Sequence, residues 1–419
     1  MRKYNRWANF DPALGKSVLA GTPGYPRALM DTHYRNFSPR LGLAWRVTPN
    51  TVARGGYGIF YGFDLQYTMY RFLGATAYPF TQIQLYQAPR AGLLTLADPF
   101  PSTFAGKAPG ATSPNGWDMQ NPTEYMQDWN ITISHELSQS LGFDISYVGT
   151  KGTHENQLSN LDQWIRTPAG NIVPYPGLSQ VLYENLGANS IYNALQVSLR
   201  KRFSNGVSFR SNFSWSKSID DASFGTVQPQ NSRDLPAERG LSSFNRAYTW
   251  SNDLVYELPF GRGHRFGGHL SRAEDLLLGG WQINGLMEVY SGLPFTPTVS
   301  KSNIQQGFAT RPDRLASGTV PNPTINGWFD PAAFAVVPPT DYRFGNSGRD
   351  ILTGPGAVML DSSLFKEFAM PGETHILQFR AEFFNAMNHP VFGLPPRPST
   401  SPPPGSSTAP DRAARSSSP

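Results

Sequence analysis

Gly261, Gly263 and Gly267 frame the stretch Gly-Arg-Gly-His-Arg-Phe-Gly, the part of this chain nearest in pattern to a phosphate-binding loop. In such loops glycines let backbone N–H groups approach a phosphate, and the start of a helix completes the cradle. Here the last spacing is one residue too long and no helical pattern follows directly, so a flexible turn is expected. His264 and His269 share that connector, but no HExxH-type spacing accompanies them and no metal ligand is assigned. Asp220-Asp221 open a long polar stretch where paired carboxylates could meet a cation or a sugar; solvating a strand end is the simpler expectation. No GxSxG elbow occurs, and the absence of cysteine excludes thiol catalysis, disulfides and Cys-ligated zinc. The sequence therefore assigns no catalytic residue, no metal ligand, no cofactor and no individual ligand contact, and the chain is expected not to be an enzyme.

A formal net charge of +5 would permit nucleic-acid binding, but the basic residues are scattered through strand-like segments. No Lys/Arg-rich run or recognition-helix pattern is present, so no nucleic-acid partner is expected. Charged residues make up only 16% of 419 residues, while 27 Phe, 18 Tyr and 9 Trp supply many aromatics. That balance suits strands and membrane interfaces, where Tyr and Trp keep an apolar body in lipid and a polar tip in water. The 40 Gly and 37 Pro point to many turns and few helices. No run of about 18 apolar residues exists, which excludes a helical membrane span.

The charged residues are positioned by a period-two pattern. Leu41, Leu43, Trp45 and Val47 share one strand face and Arg46 and Thr48 the other; after Pro49-Asn50, Ala53, Tyr57, Ile59 and Tyr61 oppose Arg54. Trp129, Ile131, Ile133 and Leu137 alternate with Asn130, Thr132, Ser134 and Glu136, and Phe143, Ile145 and Tyr147 with Asp144 and Ser146. Leu195, Val197, Leu199 and Phe203 oppose Gln196, Ser198, Arg200 and Arg202. An Asn205-Gly206 turn then leads to Val207, Phe209, Phe213 and Trp215. The fourth pair spans 246–258 and 278–290, and the last spans 357–369 and 375–387 around Met370-Pro-Gly-Glu-Thr374. Ten strands of about ten residues, joined by five short connectors and four long loops, have the length and asymmetry of a transmembrane β-barrel wall. An Arg on the lipid face at mid-depth would cost about 2–4 kcal/mol. Hence Arg54, Arg200, Arg202, Arg210, Arg380, Asp144, Asp253, Glu257, Glu288 and Glu382 are expected to face a lumen.

Several stretches resemble the C-terminal barrel of the TonB-dependent receptor superfamily, in particular the Oar-like group common in Acidobacteria. They are Asn36-Phe-Ser-Pro-Arg-Leu-Gly-Leu-Ala-Trp45, Tyr192-Asn-Ala-Leu-Gln-Val-Ser-Leu-Arg-Lys-Arg-Phe203 and Phe213-Ser-Trp-Ser-Lys-Ser-Ile-Asp-Asp221. Leu278-Gly-Gly-Trp-Gln-Ile-Asn-Gly285, Ser291-Gly-Leu-Pro-Phe295 and Arg380-Ala-Glu-Phe-Phe-Asn-Ala-Met-Asn-His-Pro390 complete the set. The resemblance implies an outer-membrane barrel of about 22 strands, plugged by an N-terminal domain and importing a bulky ligand with energy delivered through TonB. It also implies that lumen charges hold the plug. The partners implied are outer-membrane lipid, an unknown ligand and, in a full-length parent, a plug domain and TonB.

The expected organisation is an irregular segment over 1–35, a partial all-β antiparallel barrel wall over 36–393, incompletely closed, and a Pro/Ser-rich disordered tail over 394–419. Of the residues 395–419, 15 of 25 are Pro or Ser, a composition that cannot pair in a sheet. With no plug, no apolar leader and no aromatic-ended closing strand in the sequence, the chain reads as a fragment of a receptor in the outer membrane of a Gram-negative-type bacterium. The loops at 62–122, 152–189, 220–245 and 291–356 are the expected ligand-contact regions. The alternative is a secreted β-rich adhesin or carbohydrate-binding protein. In that case Trp45, Trp129, Phe213 and Trp281 would be buried against a second sheet.

Overall fold

The computed structural model describes residues 7–62, 114–178, 180–224, 228–299, 310–338, 340–369 and 376–395. Ten antiparallel strands form one continuous wall in chain order: β1 Arg40–Thr48, β2 Thr51–Tyr61, β3 Tyr125–Ser138, β4 Leu141–Asn160 and β5 Leu182–Ser204. They are followed by β6 Val207–Asp220, β7 Tyr248–Glu257, β8 Trp281–Tyr290, β9 Ala357–Ala369 and β10 Ile376–Phe383. Two short strands, Asn115–Trp117 and Gly240–Leu241, attach to the loop ends of β5 and β6, and among the described residues the sheet is not closed: β1 pairs only with β2, and β10 only with β9.

Register sorts the side chains into two faces. One row crosses the wall as Trp45, Ala53, Ile133, Ile145, Val197, Phe213, Trp250, Val289 and Val358. The next row on the opposite face reads Ala44, Arg54, Thr132, Ser146, Gln196, Ser214 and Thr249. One face is mainly apolar and the other polar as far as β7, beyond which the polar row continues into Tyr290 and Ala357; this is the division a membrane wall requires. Trp45 and Phe213 are 61% and 38% exposed and Trp129 and Trp281 are half-buried, so none of the four lies in the buried core that an adhesin sandwich would need. Gly149 sits opposite Trp129 on this face, and a Cβ there would fall 2.3 Å from the indole, so glycine makes room for the ring.

The tight turns lie at one end. Asn205 and Gly206 have φ of 53° and 75°, the left-handed pair that a two-residue hairpin turn needs. The expected turn at Met370–Thr374 lies outside the described residues. At the other end the strands run on. β4 and β5 remain paired up to Asn160 and Leu182. Nearly half of the loop expected at 152–189 is therefore paired strand, leaving 161–181 as the connection. The polar composition of 152–160 and 182–189 masked this, because a hairpin clear of lipid needs no apolar face.

Asn115–Trp117 pairs parallel to Leu182–Glu184 at the tip of this hairpin. Within the N-terminal segment, Ala8–Asp11 and Lys16–Leu19 form a small hairpin. It packs Trp7, Val18, Ala20 and Leu29 around the fully buried Trp117, whose indole N–H donates to Leu29 O at 2.8 Å. Most of the loop expected at 62–122 (residues 63–113) lies outside the described residues, as does the tail beyond Pro395.

The two faces should respond oppositely to charge. Phe213→Arg is expected to destabilise the membrane-folded wall by about 2–4 kcal/mol, and Ser214→Arg, one residue away on the polar face, by much less. Urea titration of tryptophan fluorescence in vesicles, with heat-modifiable gel migration as a second readout, measures both.

Candidate functional site

The polar face begins as rows of short hydroxyl and amide side chains. Thr132 and Ser146 hydroxyls lie 2.8 Å apart, and Ser198 Oγ donates to Asn212 Oδ1 at 2.8 Å. These cross-strand bonds satisfy polar groups facing a lumen and leave room there. A groove of about 510 Å³ runs along them, lined by Arg54, Asp144, Gln196 and Asn212 among others. Register places Arg54, Arg200, Arg210, Asp144, Asp253 and Glu288 on this face, with Glu257, Arg380 and Glu382 reached along the same alternation through Gln282, Phe365 and Ser363. Arg202 joins them at a bulge. Among the described residues the wall's lumen charges make one ion pair, Arg202 to Glu136 at 3.5 Å, with both side chains more than 60% exposed. An exposed pair of that kind adds little stability.

Above the wall, two of the long connections are knotted together by buried charge and a third is joined to them by hydrogen bonds. Arg349, from the connection between β8 and β9, donates to the carboxylate of Asp220 at the end of β6 and to the Asp220 carbonyl at 2.7 Å. It also reaches Ser223 Oγ at 2.6 Å, Glu238 O at 2.8 Å and Asp350 Oδ2 at 3.1 Å. Asp350 in turn accepts from Ser243 Oγ at 2.8 Å and Thr296 Oγ1 at 2.9 Å. A second pair, Arg311 Nη1 to Glu238 Oε2 at 2.8 Å, is almost fully buried. Gln230 links it onward, donating to Gly345 O at 3.0 Å while its own carbonyl accepts from Gln163 Nε2 at 2.8 Å. Thus 161–181, 221–247 and 291–356 form one cap. Phe295, Phe329 and Leu352 give it a small apolar core.

Two cavities open in this cap. One of about 660 Å³ is lined by Trp164, Arg166, Arg233, Tyr342, Arg343 and Phe344, among others. The other, about 460 Å³, lies among Asp221, Phe224, Phe295, Thr298, Arg311 and Arg349. Both have the size of a small-molecule site. Arg343 grips Asp313 with two bonds of 2.7 Å, and this holds the Asp313 carboxyl below its ordinary range. Burial raises the carboxyl of Asp162 behind the larger cavity, against a backbone N–H from Tyr175. Burial also raises Glu155 in the extended part of β4, opposed by the Ser190 hydroxyl.

Several residues singled out in the sequence find other roles. Asp220 and Asp221 do more than solvate a strand end: Asp220 anchors Arg349, and Asp221 accepts from Arg239 at 3.0 Å and from the Asn189 N–H at 3.0 Å. Gly261, Gly263 and Gly267 all have positive φ, as a turn requires. A seven-residue helix, α1 (Arg272–Leu278), follows them with a Ser271/Glu274 capping box. The S-x-x-E signature was present in the sequence, but seven residues are too few for a periodicity to show. Among the described residues no group of three or more His, Asp or Glu could hold a metal. Arg311, Glu238 and Arg349 carry no local signal, because their partners lie 70 to 130 positions away.

An antiparallel wall with an apolar outer face, a polar inner face, tight turns at one end and a large cap at the other defines an outer-membrane β-barrel architecture. The family model "outer membrane beta barrel domain" matches residues 1–417, and the chain belongs to that family. Solved structures similar to it include the outer membrane transporter YddB from Escherichia coli, at 9% identity and TM-score 0.42, covering 84% of this chain and 37% of that one. The FpvA receptor of Pseudomonas aeruginosa bound to heterologous pyoverdines matches at 9% identity and TM-score 0.42, covering 94% and 32%. BauA, the ferric preacinetobactin receptor of Acinetobacter baumannii, matches at 10% identity and TM-score 0.41, covering 89% and 34%. The chain thus spans about a third of the length of these structures. A search of curated proteins returns no match.

Cap and wall should come apart separately. Arg311→Ala leaves Glu238 buried without its partner and is expected to cost the cap about 3–5 kcal/mol. Hydrogen exchange should then show protection lost over 228–243 while 207–215 keeps its own. The Asp313–Arg343 clasp has a defined pH sign: a depressed carboxyl contributes above its unfolded pKa and loses that contribution as pH falls through the folded value. Protease sensitivity of 310–346 is expected to rise only below the ordinary aspartate range, and to be high at neutral pH in Asp313→Asn.

Proposed function

We propose that this chain forms part of the wall and outer cap of a receptor that imports a bulky ligand across the outer membrane in a TonB-dependent cycle. The observation that carries the reading is the cap itself. Two long connections are fixed to each other by buried ion pairs and a third by hydrogen bonds of Gln163, over a polar lumen face, and the cavities they enclose are lined by aromatic and arginine side chains. Loops held on a rigid scaffold are where such proteins recognise ligands. Ligand caught in the cap would pass along the Ser/Thr/Asn rows of the wall as a plug domain, held in the complete receptor by lumen charges, rearranges. The ferripyoverdine and ferric preacinetobactin named for the similar structures make ferric chelates the first class to try, with oligosaccharides as the second.

Uptake by the encoding bacterium tests this. Deleting the gene, or adding a protonophore, is expected to abolish uptake of one class from a panel of radio-iron siderophores and labelled oligosaccharides. Restoring the gene with Trp164→Ala and Tyr342→Ala should leave the protein in the outer membrane but weaken binding about tenfold, or ~1.4 kcal/mol, as loss of aromatic anchors does. Uptake unchanged by deletion, or unaffected by the protonophore, would overturn the reading.

A further inference from the structure

Among the described residues, the tight-turn end of the wall has one elaborate connector, residues 258–280 between β7 and β8. It folds on itself: Phe266 N–H donates to Pro259 O at 3.0 Å, Gly261 N–H to Phe266 O at 2.9 Å, and Arg262 N–H to Asp275 Oδ1 at 2.6 Å. The resulting knob exposes Phe260, Phe266, Leu276, Leu277 and Leu278, with Leu277 70% exposed. On α1, Ala273, Leu276 and Leu277 fall within about 100° of arc, a short apolar face. The acidic residues of the helix are turned to internal work, Glu274 on the Ser271 cap and Asp275 on Arg262. Arg265 and Arg272 remain at the exposed surface.

The knob hangs on a particular side of the wall. Trp281 Nε1–H donates to Leu277 O at 2.9 Å, and Lys366 Nζ donates to Gly279 O while lying 5.0 Å from the Trp281 and Phe368 rings. Trp281 and Lys366 are cross-strand partners on the apolar face, in the alternation of Ile283 and Leu364. The last turn of the helix is therefore tied directly to lipid-facing residues of β8 and β9. Tight turns mark the periplasmic end of such walls.

We propose that this knob docks on the periplasmic leaflet of the outer membrane. Leu276 and Leu277 enter the boundary of the acyl chains, and Arg265 and Arg272 meet the phosphates of anionic phospholipid. Interfacial helices are held by this pairing of an apolar face with cationic residues. The inference rests on the wall spanning the membrane and is independent of what the receptor imports.

The lack of cysteine in the chain allows one-site labelling. Leu277→Cys, Leu254→Cys on the lipid face and Asn50→Cys in the first tight turn are each labelled with an environment-sensitive fluorophore. The full chain is then reconstituted in phosphatidylethanolamine–phosphatidylglycerol vesicles. The label at 277 is expected to be quenched by lipid carrying a nitroxide near the headgroup, and by iodide about threefold less than the label at 50, as for a helix seated at the boundary. Replacing phosphatidylglycerol with phosphatidylcholine, or Arg265→Gln with Arg272→Gln, should roughly halve the lipid quenching at 277 and leave 254 unchanged. Iodide access at 277 equal to that at 50 overturns the docking. Shielding of 277 from both quenchers also overturns it, in favour of a protein covering the knob. Indifference to phosphatidylglycerol and to the arginine changes overturns the role of the phosphates. Failure of lipid to quench the label at 254 removes the wall from the membrane and the docking with it.

Discussion

Hydrocarbon offers no hydrogen bonds, and this constraint organises the whole structure. Every backbone N–H and C=O at membrane depth must find a partner within the sheet, so the strands are long, antiparallel and joined in chain order. Pairing fixes register, and register fixes which side chains meet lipid. The apolar row from Trp45 to Val358 and the polar row from Ala44 to Thr249 are two products of the same ladder. The edges β1 and β10 carry backbone groups that the described residues do not satisfy, a condition lipid cannot relieve.

Beyond the membrane the constraint lifts and a different physics takes over. Water competes for exposed hydrogen bonds, so the cap is held where water is excluded, at Arg349 with Asp220 and Asp350 and at Arg311 with Glu238. Serine, threonine, glutamine and backbone groups around those pairs help offset the cost of burying charge, although Arg311 Nε finds no hydrogen-bond partner among the described residues. The wall tolerates exposed lumen charges such as Arg54 and Asp253; the cap instead buries its charges and depends on them.

The division of labour explains what the sequence shows and what it hides. Leu195 to Phe203 against Val207 to Trp215 is legible because lipid imposes a strict alternation on both strands, and Asn205-Gly206 marks the turn between them. The lumen face follows from the same alternation, and the placement of Arg54, Arg200 and Arg210 agrees with it. Residues 152–160 and 182–189 are also paired strand, with register shifts between Asn185 and Asn189, yet nothing in their composition says so, because both faces meet protein or water. The ion pairs of the cap are illegible for another reason: Arg349 meets Asp220 across 129 positions, and no spacing rule reaches that far. The helix at Arg272–Leu278 was hidden by its brevity, although its Ser271/Glu274 cap was in plain view.

The paired extension of β4 and β5 sets a limit on how this molecule can change. One pair of strands carries both the membrane register and the base of the cap, from Leu141 opposite Lys201 to Asn160 opposite Leu182, with register shifts only between Asn185 and Asn189. A single inserted residue low on either strand would exchange lipid and lumen faces and displace the cap's footing together. Insertions within 161–181, by contrast, would disturb neither. Variation in what the cap recognises is therefore channelled to the tips of the connections, while the ladder below them is free to drift in side chains but not in length.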